Sequence, residues 1–214
     1  MSSVVLIISA YLLGSVPFGF IIGKAHGRDI RSVGSGNIGA TNLSRALGKK
    51  WGYLCFCLDM LKGLIPMSAA MRFCSSQPSV AELSLSLAIG FAAVLGHVFP
   101  VYLKFKGGKG IATSFGVALG LWPYYTLSAG FAFVVWAAVV LVWRYVSLAS
   151  IAASVAFPVS LIFAILLRAG WDFTNLWPLL TAAVAIPVLV IFRHRANIKR
   201  IIAGTEGKVF TRRN

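Results

Sequence analysis

Long apolar runs separated by short polar stretches dominate this chain. Most of these runs are near the roughly 20 residues that a helix needs to cross the hydrocarbon core of a membrane. We mark seven apolar segments, at residues 2–23, 51–71, 83–103, 111–121, 124–143, 148–167 and 176–192. The pattern predicts an all-α protein, a polytopic membrane helical bundle of seven transmembrane segments in one domain covering residues 1–214.

Two of these segments raise questions of their own. The fourth has 11 residues and would rise only about 16 Å as a helix. It must therefore begin below the membrane surface, or thin the bilayer locally. The first has no preceding basic region and no small-residue cleavage site, so we expect a retained span and not a signal peptide.

Composition supports a membrane protein, because 58% of the residues are hydrophobic and only 12% are charged. Soluble domains carry roughly 25% charged residues. The net charge of +15 could indicate nucleic-acid binding, but the cations cluster between apolar spans. Such clusters are typical of topology signals and of contacts with anionic lipids, so we expect membrane lipids and no nucleic acid as partners.

The positive charges also predict an orientation. If the segments alternate, one side carries the linkers at 24–50, 104–110 and 144–147 and the tail from Arg193, with 17 of the 20 lysines and arginines. The basic side faces the cytoplasm in most membrane proteins. The N-terminus is then outside and the C-terminus is cytoplasmic.

The first basic linker contains "SVGSGNIGATNLSRALGKK", at residues 32–50. Its glycines match G-x-G-x-x-G, but a dinucleotide fingerprint needs a preceding strand and a parallel sheet. We predict instead a tight turn at residues 34–36 and a short helix over 38–47, capped by Asn37 and ended by Gly48. Asn37, Thr41 and Arg45 would share one face. An interfacial anchor that meets lipid headgroups is the alternative.

The second candidate stretch is "FKGGKGIATS", at residues 105–114. Gly107, Gly108 and Gly110 leave main-chain N–H groups uncovered immediately before the short fourth segment, and Lys109 adds a full charge. A helix N-terminus of this kind favours anions. The alternative is a flexible loop whose positive charges only help to set the orientation of the chain in the membrane.

Two further stretches lie on the same side. In "WRYVSLAS" Ser147 is expected to cap a helix, while Ser150 lies a turn deeper and can donate to an anion. In "FRHRANIKR" His194 and Asn197 share a face among four cations, although a histidine at a span end is more often interfacial.

Other titratable residues point to packing. We expect Asp59 and Lys62 to form a neutralising pair inside the second span, and His97 to be a buried, hydrogen-bonded packing residue. The cysteines at 55, 57 and 74 are expected to be reduced thiols. No cluster has metal-ligand spacing, and among cytoplasmic carboxylates only Asp29 and Glu206 are expected to be free to act as a base.

Together the four stretches supply cations, amides and hydroxyls with almost no acids, which suits phosphates at a membrane surface. The sequence shows no nucleophile–base pair of the kind that would indicate a covalent enzyme intermediate. One rival is a small transporter or flippase of an anionic metabolite, but the outer halves of the spans lack the polar residues it would need. A second rival is a scaffold that recruits enzymes through its basic face. Such a scaffold would not need closely spaced glycines beside a shortened helix.

The chain resembles the bacterial membrane-bound acyl-phosphate:glycerol-3-phosphate acyltransferases over nearly its whole length. The resemblance rests on "YLLGSVPFG", "VGSGNIGATNLSRALG", "LDMLKG", "GHVFPVYLKFKGGKGIAT", "RYVSLASI" and "FRHRANIKRI", in that order. It implies transfer of an acyl group from a fatty acyl phosphate to the 1-hydroxyl of glycerol 3-phosphate, with no cofactor and no metal. It also implies the inner membrane of a bacterium and a soluble enzyme that makes the donor.

The resemblance also assigns residues to the substrates. Ser35, Gly36, Asn37, Thr41 and Arg45 belong to a first phosphate-binding loop, and Gly107, Gly108 and Lys109 to a second, while Ser150, His194 and Asn197 complete a polar pocket. None of them is a covalent nucleophile. A phosphate oxygen of a substrate would then act as the base.

Overall fold

The structure is a computed structural model, and it describes residues 2–209. The regular structure of these residues is entirely helical, as predicted, with two short 3-10 turns beside the α-helices. The α-helices are α1 Ser3–Ser15, α2 Phe18–Ala25, α3 Ala40–Leu47, α4 Lys49–Met71, α5 Val80–Val98, α6 Ile111–Gly120, α7 Thr126–Trp143, α8 Val146–Leu167, α9 Phe173–Arg193 and α10 Arg195–Ile202. Arg212 and Arg213, two cations of the predicted cytoplasmic tail, lie outside the described residues.

Six helical stretches among the described residues are long and apolar enough to cross a membrane. They are Ser3–Ala25, Lys49–Met71, Val80–Leu103, Thr126–Trp143, Val146–Leu167 and Phe173–Arg193. The fourth predicted segment forms α6, an apolar helix of only 10 residues. The integral membrane fold therefore has about six candidate spans, and a seventh crossing at α6 stays a prediction.

One predicted segment is interrupted, and one is followed by a break. The first is divided between α1 and α2 at Val16 and Pro17, because proline lacks an amide hydrogen and pushes the preceding residue into an extended conformation. Val16 has φ −60° and ψ 116°. The last predicted segment is continuous within α9, but the helix was expected to continue into the tail, and instead α9 ends at Arg193 and α10 starts at Arg195 after His194.

The chain divides into two compact units, residues 1–122 and 123–214. In the first unit α1 packs against α5, and α4 packs against α3, α5 and α6. Glycines allow the close approaches: a Cβ on Gly14 would overlap the Ala93 carbonyl, and a Cβ on Gly116 would overlap the Met60 carbonyl. The core of this unit includes the fully buried Cys55, and all three cysteines are free thiols, as predicted.

In the second unit α8 packs against α7 and α9, and α10 contacts α8 and α9. The buried Tyr125 hydroxyl donates to the Leu179 carbonyl of α9. Its ring meets the Phe157 ring edge-on, with centroids 5.0 Å apart. The assignment of the whole chain to one domain stays a prediction.

Candidate functional site

Asn42 holds the loop that precedes α3. Its side chain is buried, and its Oδ1 accepts the Ser35 amide at 3.0 Å. Its Nδ2 lies 2.9 to 3.0 Å from three main-chain carbonyl oxygens, those of Ile30, Val33 and Asn37. One buried amide therefore ties together the backbone of residues 30–37.

The turn in this loop is as predicted, but the helix cap is not. Gly34 and Gly36 have φ values of 57° and 68°, a region that favours glycine. The helix begins at Ala40 after Gly39, with no side-chain cap. The prediction that Asn37 caps it is wrong, because Asn42 holds the chain in a turn and the Asn37 carbonyl accepts from that side chain.

Several of the first predicted binding residues are accessible. Ser35 and Arg45 are exposed, and Gly36, Asn37 and Thr41 are partly exposed. Thr41 and Arg45 share a face of α3, as predicted, whereas Asn37 precedes the helix. The loop thus presents an amide, hydroxyls and a cation beside one another along the chain.

Asp29 is not free to act as a base, contrary to the prediction. Its carboxylate accepts from Arg31 Nη2 at 2.6 Å and from Arg31 Nε at 2.9 Å, and Lys24 Nζ lies 3.5 Å away. These hydrogen bonds to Arg31, together with nearby positive charge, hold the pKa of Asp29 well below its usual range. It is an ion-pair partner on the surface.

The second glycine stretch is a compact loop seated on His97. The Gly108 amide donates to the His97 carbonyl at 3.0 Å, so this N–H is not uncovered as predicted. A Cβ on Gly108 would overlap the His97 ring, and one on Gly107 would overlap the His97 carbonyl. Gly110, with φ 89°, leads directly into α6, and Lys109 is partly exposed beside this N-terminus.

Beneath this loop lies the pair predicted from the second span. Lys62 Nζ is 2.8 Å from Asp59 Oδ1, and both side chains are almost fully buried. His97 is also buried, as predicted, and its Nδ1 lies 3.5 Å from the same carboxylate oxygen.

In the second unit, His194 and Asn197 lie where α9 gives way to α10, and both are buried. His194 Nδ1 is 2.8 Å from the Val190 carbonyl, a contact that selects the tautomer with hydrogen on Nδ1. Asn197 Nδ2 donates to Glu206 Oε1 at 2.6 Å. Both residues of the predicted pair, His194 and Asn197, are therefore held in place by hydrogen bonds.

Glu206 binds three donors and is not free to act as a base, contrary to the prediction. Besides Asn197 it accepts from Ser147 Oγ and from Arg200 Nε, each at 2.7 Å. Burial alone would raise the pKa of Glu206, but these hydrogen bonds and the Arg200 charge outweigh burial and lower it.

Of the two serines of α8, Ser147 does not cap the helix as predicted, and Ser150 contacts its own helix. Tyr145 precedes the helix, so Ser147 lies within its first turn and bonds Glu206 instead of capping. Ser150 is buried, and its hydroxyl donates to the Val146 carbonyl at 2.8 Å. Such a hydroxyl has acceptor capacity left for a further partner.

The roles of Asn42 and Glu206 were not predicted from the sequence. Asn42 offered a weak signal, an amide directly before Leu43 and off the polar face of α3. Glu206 is one of only five acids in the chain and follows a run of cations. Neither signal reveals which backbone or side-chain groups each residue would meet.

Comparison with known proteins gives consistent matches along the chain. The family model for glycerol-3-phosphate acyltransferase matches residues 4–204. A glycerol-3-phosphate acyltransferase of Aquifex aeolicus is 46% identical over 206 residues, which cover 96% of this chain and 98% of the relative. One from Geotalea daltonii is 47% identical over 211 residues, covering 99% of each.

Solved structures agree with these relatives. The crystal structure of PlsY (YgiH), an integral membrane glycerol 3-phosphate acyltransferase, in its glycerol 3-phosphate form matches with a TM-score of 0.83 and 44% identity, covering 97% of this chain and 96% of that one. Its lysophosphatidic acid form matches with a TM-score of 0.81 and 43% identity, covering 97% and 95%. This chain belongs to the glycerol-3-phosphate acyltransferase family of integral membrane enzymes.

Proposed function

We propose that this glycerol-3-phosphate acyltransferase takes its acyl group from a fatty acyl phosphate and transfers it to the 1-hydroxyl of glycerol 3-phosphate. The hydroxyl oxygen bonds the acyl carbon, and the bond from that carbon to the phosphate oxygen breaks. Lysophosphatidate and inorganic phosphate are the products. The observation that carries the proposal is the glycine loop that leads into α6 beside Lys109.

The two substrates each carry a phosphate, and bringing them together is the main difficulty. Two unit charges about 5 Å apart repel by a few kcal/mol at an effective dielectric near 20. In the first unit Arg45, Lys109 and the N-terminus of α6 offset such repulsion. These positive groups would also orient the phosphates for attack.

The substrate-binding residues that we propose form two sets. The first unit contributes Ser35, Gly36, Asn37, Thr41, Arg45, Gly107, Gly108 and Lys109. The second unit contributes Ser150, His194 and Asn197, which are polar and buried.

A phosphate oxygen of a substrate serves as the base in this proposal. It takes the proton of the attacking hydroxyl, and the electron pair of the broken bond leaves with the phosphate of the donor. The engagement of Asp29 and Glu206 supports this, since each carboxylate is bound to cationic partners. Replacing His194 by glutamine should then lower kcat/KM without removing one limb of the pH–rate profile. Loss of a limb would assign the base to His194.

The location follows from the charge pattern. We propose that α6 completes seven segments, that the N-terminus lies outside, and that both glycine loops face the cytoplasm of a bacterium. This orientation is supported by the placement of 17 of the 20 lysines and arginines on one side of the predicted segments. A soluble enzyme in the same compartment would supply the acyl phosphate.

The deciding assay gives the purified protein a fatty acyl phosphate and labelled glycerol 3-phosphate. We expect labelled lysophosphatidate, and none when acyl-CoA or acylated acyl carrier protein replaces the donor. Product from one of those thioesters alone would overturn the proposed donor. Uptake of label into liposomes without product would favour a transporter.

A matched pair of variants tests the loop. Lys109→Met should reduce kcat/KM roughly a hundredfold, since one preorganised charge at the reacting phosphate is lost. Lys106→Met removes the same charge from an exposed residue three positions earlier and should keep nearly full activity. Equal losses in both variants would show that only the general positive charge matters.

A further inference from the structure

Asp59 is the centre of a buried polar cluster within the membrane helices of the first unit. Its carboxylate meets Lys62 Nζ at 2.8 Å, His97 Nδ1 at 3.5 Å and the Cys55 thiol at 3.5 Å. A buried ion pair is weak evidence for stability, because desolvation can exceed the electrostatic gain. Charged residues inside membrane spans are costly and usually functional. The cluster therefore indicates a role beyond mutual neutralisation of the Asp59 and Lys62 charges.

One branch of the cluster leads to the second glycine loop. The His97 carbonyl accepts the Gly108 amide at 3.0 Å, and the His97 ring lies directly under Gly108. Gly107 is in equally close contact with the His97 carbonyl and with Pro100. The ring and carbonyl of His97 thus support Gly108 and Gly107, the two residues directly before Lys109.

A second branch leads to the base of the first loop. Cys55 is fully buried in an apolar cluster with Ile30, Ile38 and Leu43, the residues on which that loop rests. Leu103, four residues before Gly107, packs on the same cluster. The supports of both loops therefore meet near the Asp59 carboxylate.

Further hydrogen bonds hold Lys62 and the backbone at Asp59 in place. Lys62 Nζ donates to the Val16 carbonyl at 2.8 Å, at the interruption between α1 and α2. Thr113 Oγ1 of α6 donates to the Asp59 main-chain carbonyl at 2.9 Å. Asp59 is thereby connected to α5 and α6, and through Lys62 to the junction of α1 and α2.

We propose that Asp59 and His97 are positioning residues for the loop of residues 107–109, and that Asp59 acts through the contact of its carboxylate oxygen with His97 Nδ1, 3.5 Å away. The carboxylate orients the imidazole, and the imidazole supports the loop that presents Lys109 to a substrate phosphate. This inference rests on the phosphate-binding role proposed for that loop. It gives Asp59 a part in substrate binding although it is not a catalytic residue.

Two double variants separate positioning from charge neutralisation. Asp59→Asn with Lys62→Met removes the ion pair but retains a side-chain oxygen facing His97 Nδ1. Asp59→Leu with Lys62→Met removes the ion pair and that oxygen together. KM and kcat are measured for glycerol 3-phosphate and for acyl phosphate, along with Tm in the same detergent.

We expect the leucine variant to have a KM for at least one substrate roughly ten- to a hundredfold above that of the asparagine variant. Its kcat should change less, and the two Tm values should agree within a few degrees. Equal KM values in the two variants would overturn the proposal. So would failure of the leucine variant alone to fold, since Asp59 would then be structural.

A second comparison removes the other partner. His97→Asn keeps a side-chain N–H near the place of Nδ1, whereas His97→Leu has none, and we expect the higher KM only in the latter. If both variants bind substrates like the unmodified enzyme, the positioning role is wrong. Failure of the proposed function differs from this outcome, because it would leave the unmodified enzyme without product from acyl phosphate.

Discussion

At the scale of single residues, two buried polar side chains organise the surroundings of the proposed substrate-binding residues. Asn42 contacts four main-chain groups in the first unit, three through Nδ2 and one through Oδ1. Glu206 accepts from three side chains in the second. Buried polar groups of this kind are costly to leave unpaired, so removing either one should affect the loop or helix end around it.

The Asn42→Ala variant should lose stability and substrate affinity together. Its four partners would lose their hydrogen bonds in a buried region, at a cost of about 2–3 kcal/mol. We expect a lower Tm and a higher KM for glycerol 3-phosphate in a detergent assay. Asn175→Ala, at an exposed asparagine of α9, is the control and should change stability by less than about 0.5 kcal/mol. Equal behaviour of the two variants would contradict the role of Asn42.

Glu206→Gln should reveal the ionised state of this carboxylate through pH. The pKa of Glu206 is lower in the folded protein than in the unfolded chain, so its stabilisation is present above the unfolded pKa. This stabilisation is lost as the pH falls through the lower pKa that Glu206 has in the folded protein. We therefore expect a Tm deficit in the variant at neutral pH, and a deficit that shrinks in acid below about pH 4. A deficit that is independent of pH would contradict this account.

At the scale of helices, proline and glycine have effects that depend on context. Pro17 coincides with the interruption between α1 and α2, whereas Pro158 lies inside the continuous helix α8. Glycines in α1, α4, α5 and α6 face backbone atoms of neighbouring helices. Close helix packing of this kind through small residues is common in membranes, where apolar burial drives association little.

Gly116→Ala should therefore weaken the packing of α6 on α4. The new methyl group would overlap the Met60 carbonyl, which is backbone and cannot move away alone. Overpacking of this kind costs about 1–3 kcal/mol. We expect a lower Tm and, because α6 carries the glycine loop at its N-terminus, a higher KM for a phosphate-bearing substrate.

Gly130→Ala in α7 is the matched control for this change. Gly130 is exposed and has no atom within 4 Å of a new Cβ. Alanine favours the helix by up to about 1 kcal/mol over glycine. The control should thus keep or raise Tm, and a loss similar to that of Gly116→Ala would rule out packing as the cause.

At the scale of the whole molecule, the uneven charge predicts which ends face the cytoplasm. Gln77, in the connection between α4 and α5, should lie outside, and Lys208, after α10, should lie inside. Both residues are exposed. Cysteines at these two positions would therefore report opposite sides of the membrane.

In intact cells, a membrane-impermeant thiol reagent should label Gln77→Cys and not Lys208→Cys. The background carries Cys57→Ser and Cys74→Ser, while Cys55 is buried and can stay. Disrupted membranes should allow labelling of both cysteines. Labelling of Lys208→Cys in intact cells would reverse the proposed orientation.

The amino-acid sequence by itself determined the helical membrane fold, the positions of most helices and the two glycine loops. Helix formation and membrane insertion depend on runs of neighbouring residues, so apolar length and the placement of Arg45 and Lys109 are readable along the chain. The family motifs extend this local information to the enzyme class.

Only the tertiary structure decided which polar groups meet. It gave Asn42 its four partners and bound Glu206 to Ser147, and it placed His97 between Asp59 and Gly108. Each contact joins residues from different helices or loops, or follows from how a loop folds back on itself. Burial in a low-dielectric interior makes such pairing obligatory, but the fold selects the partner.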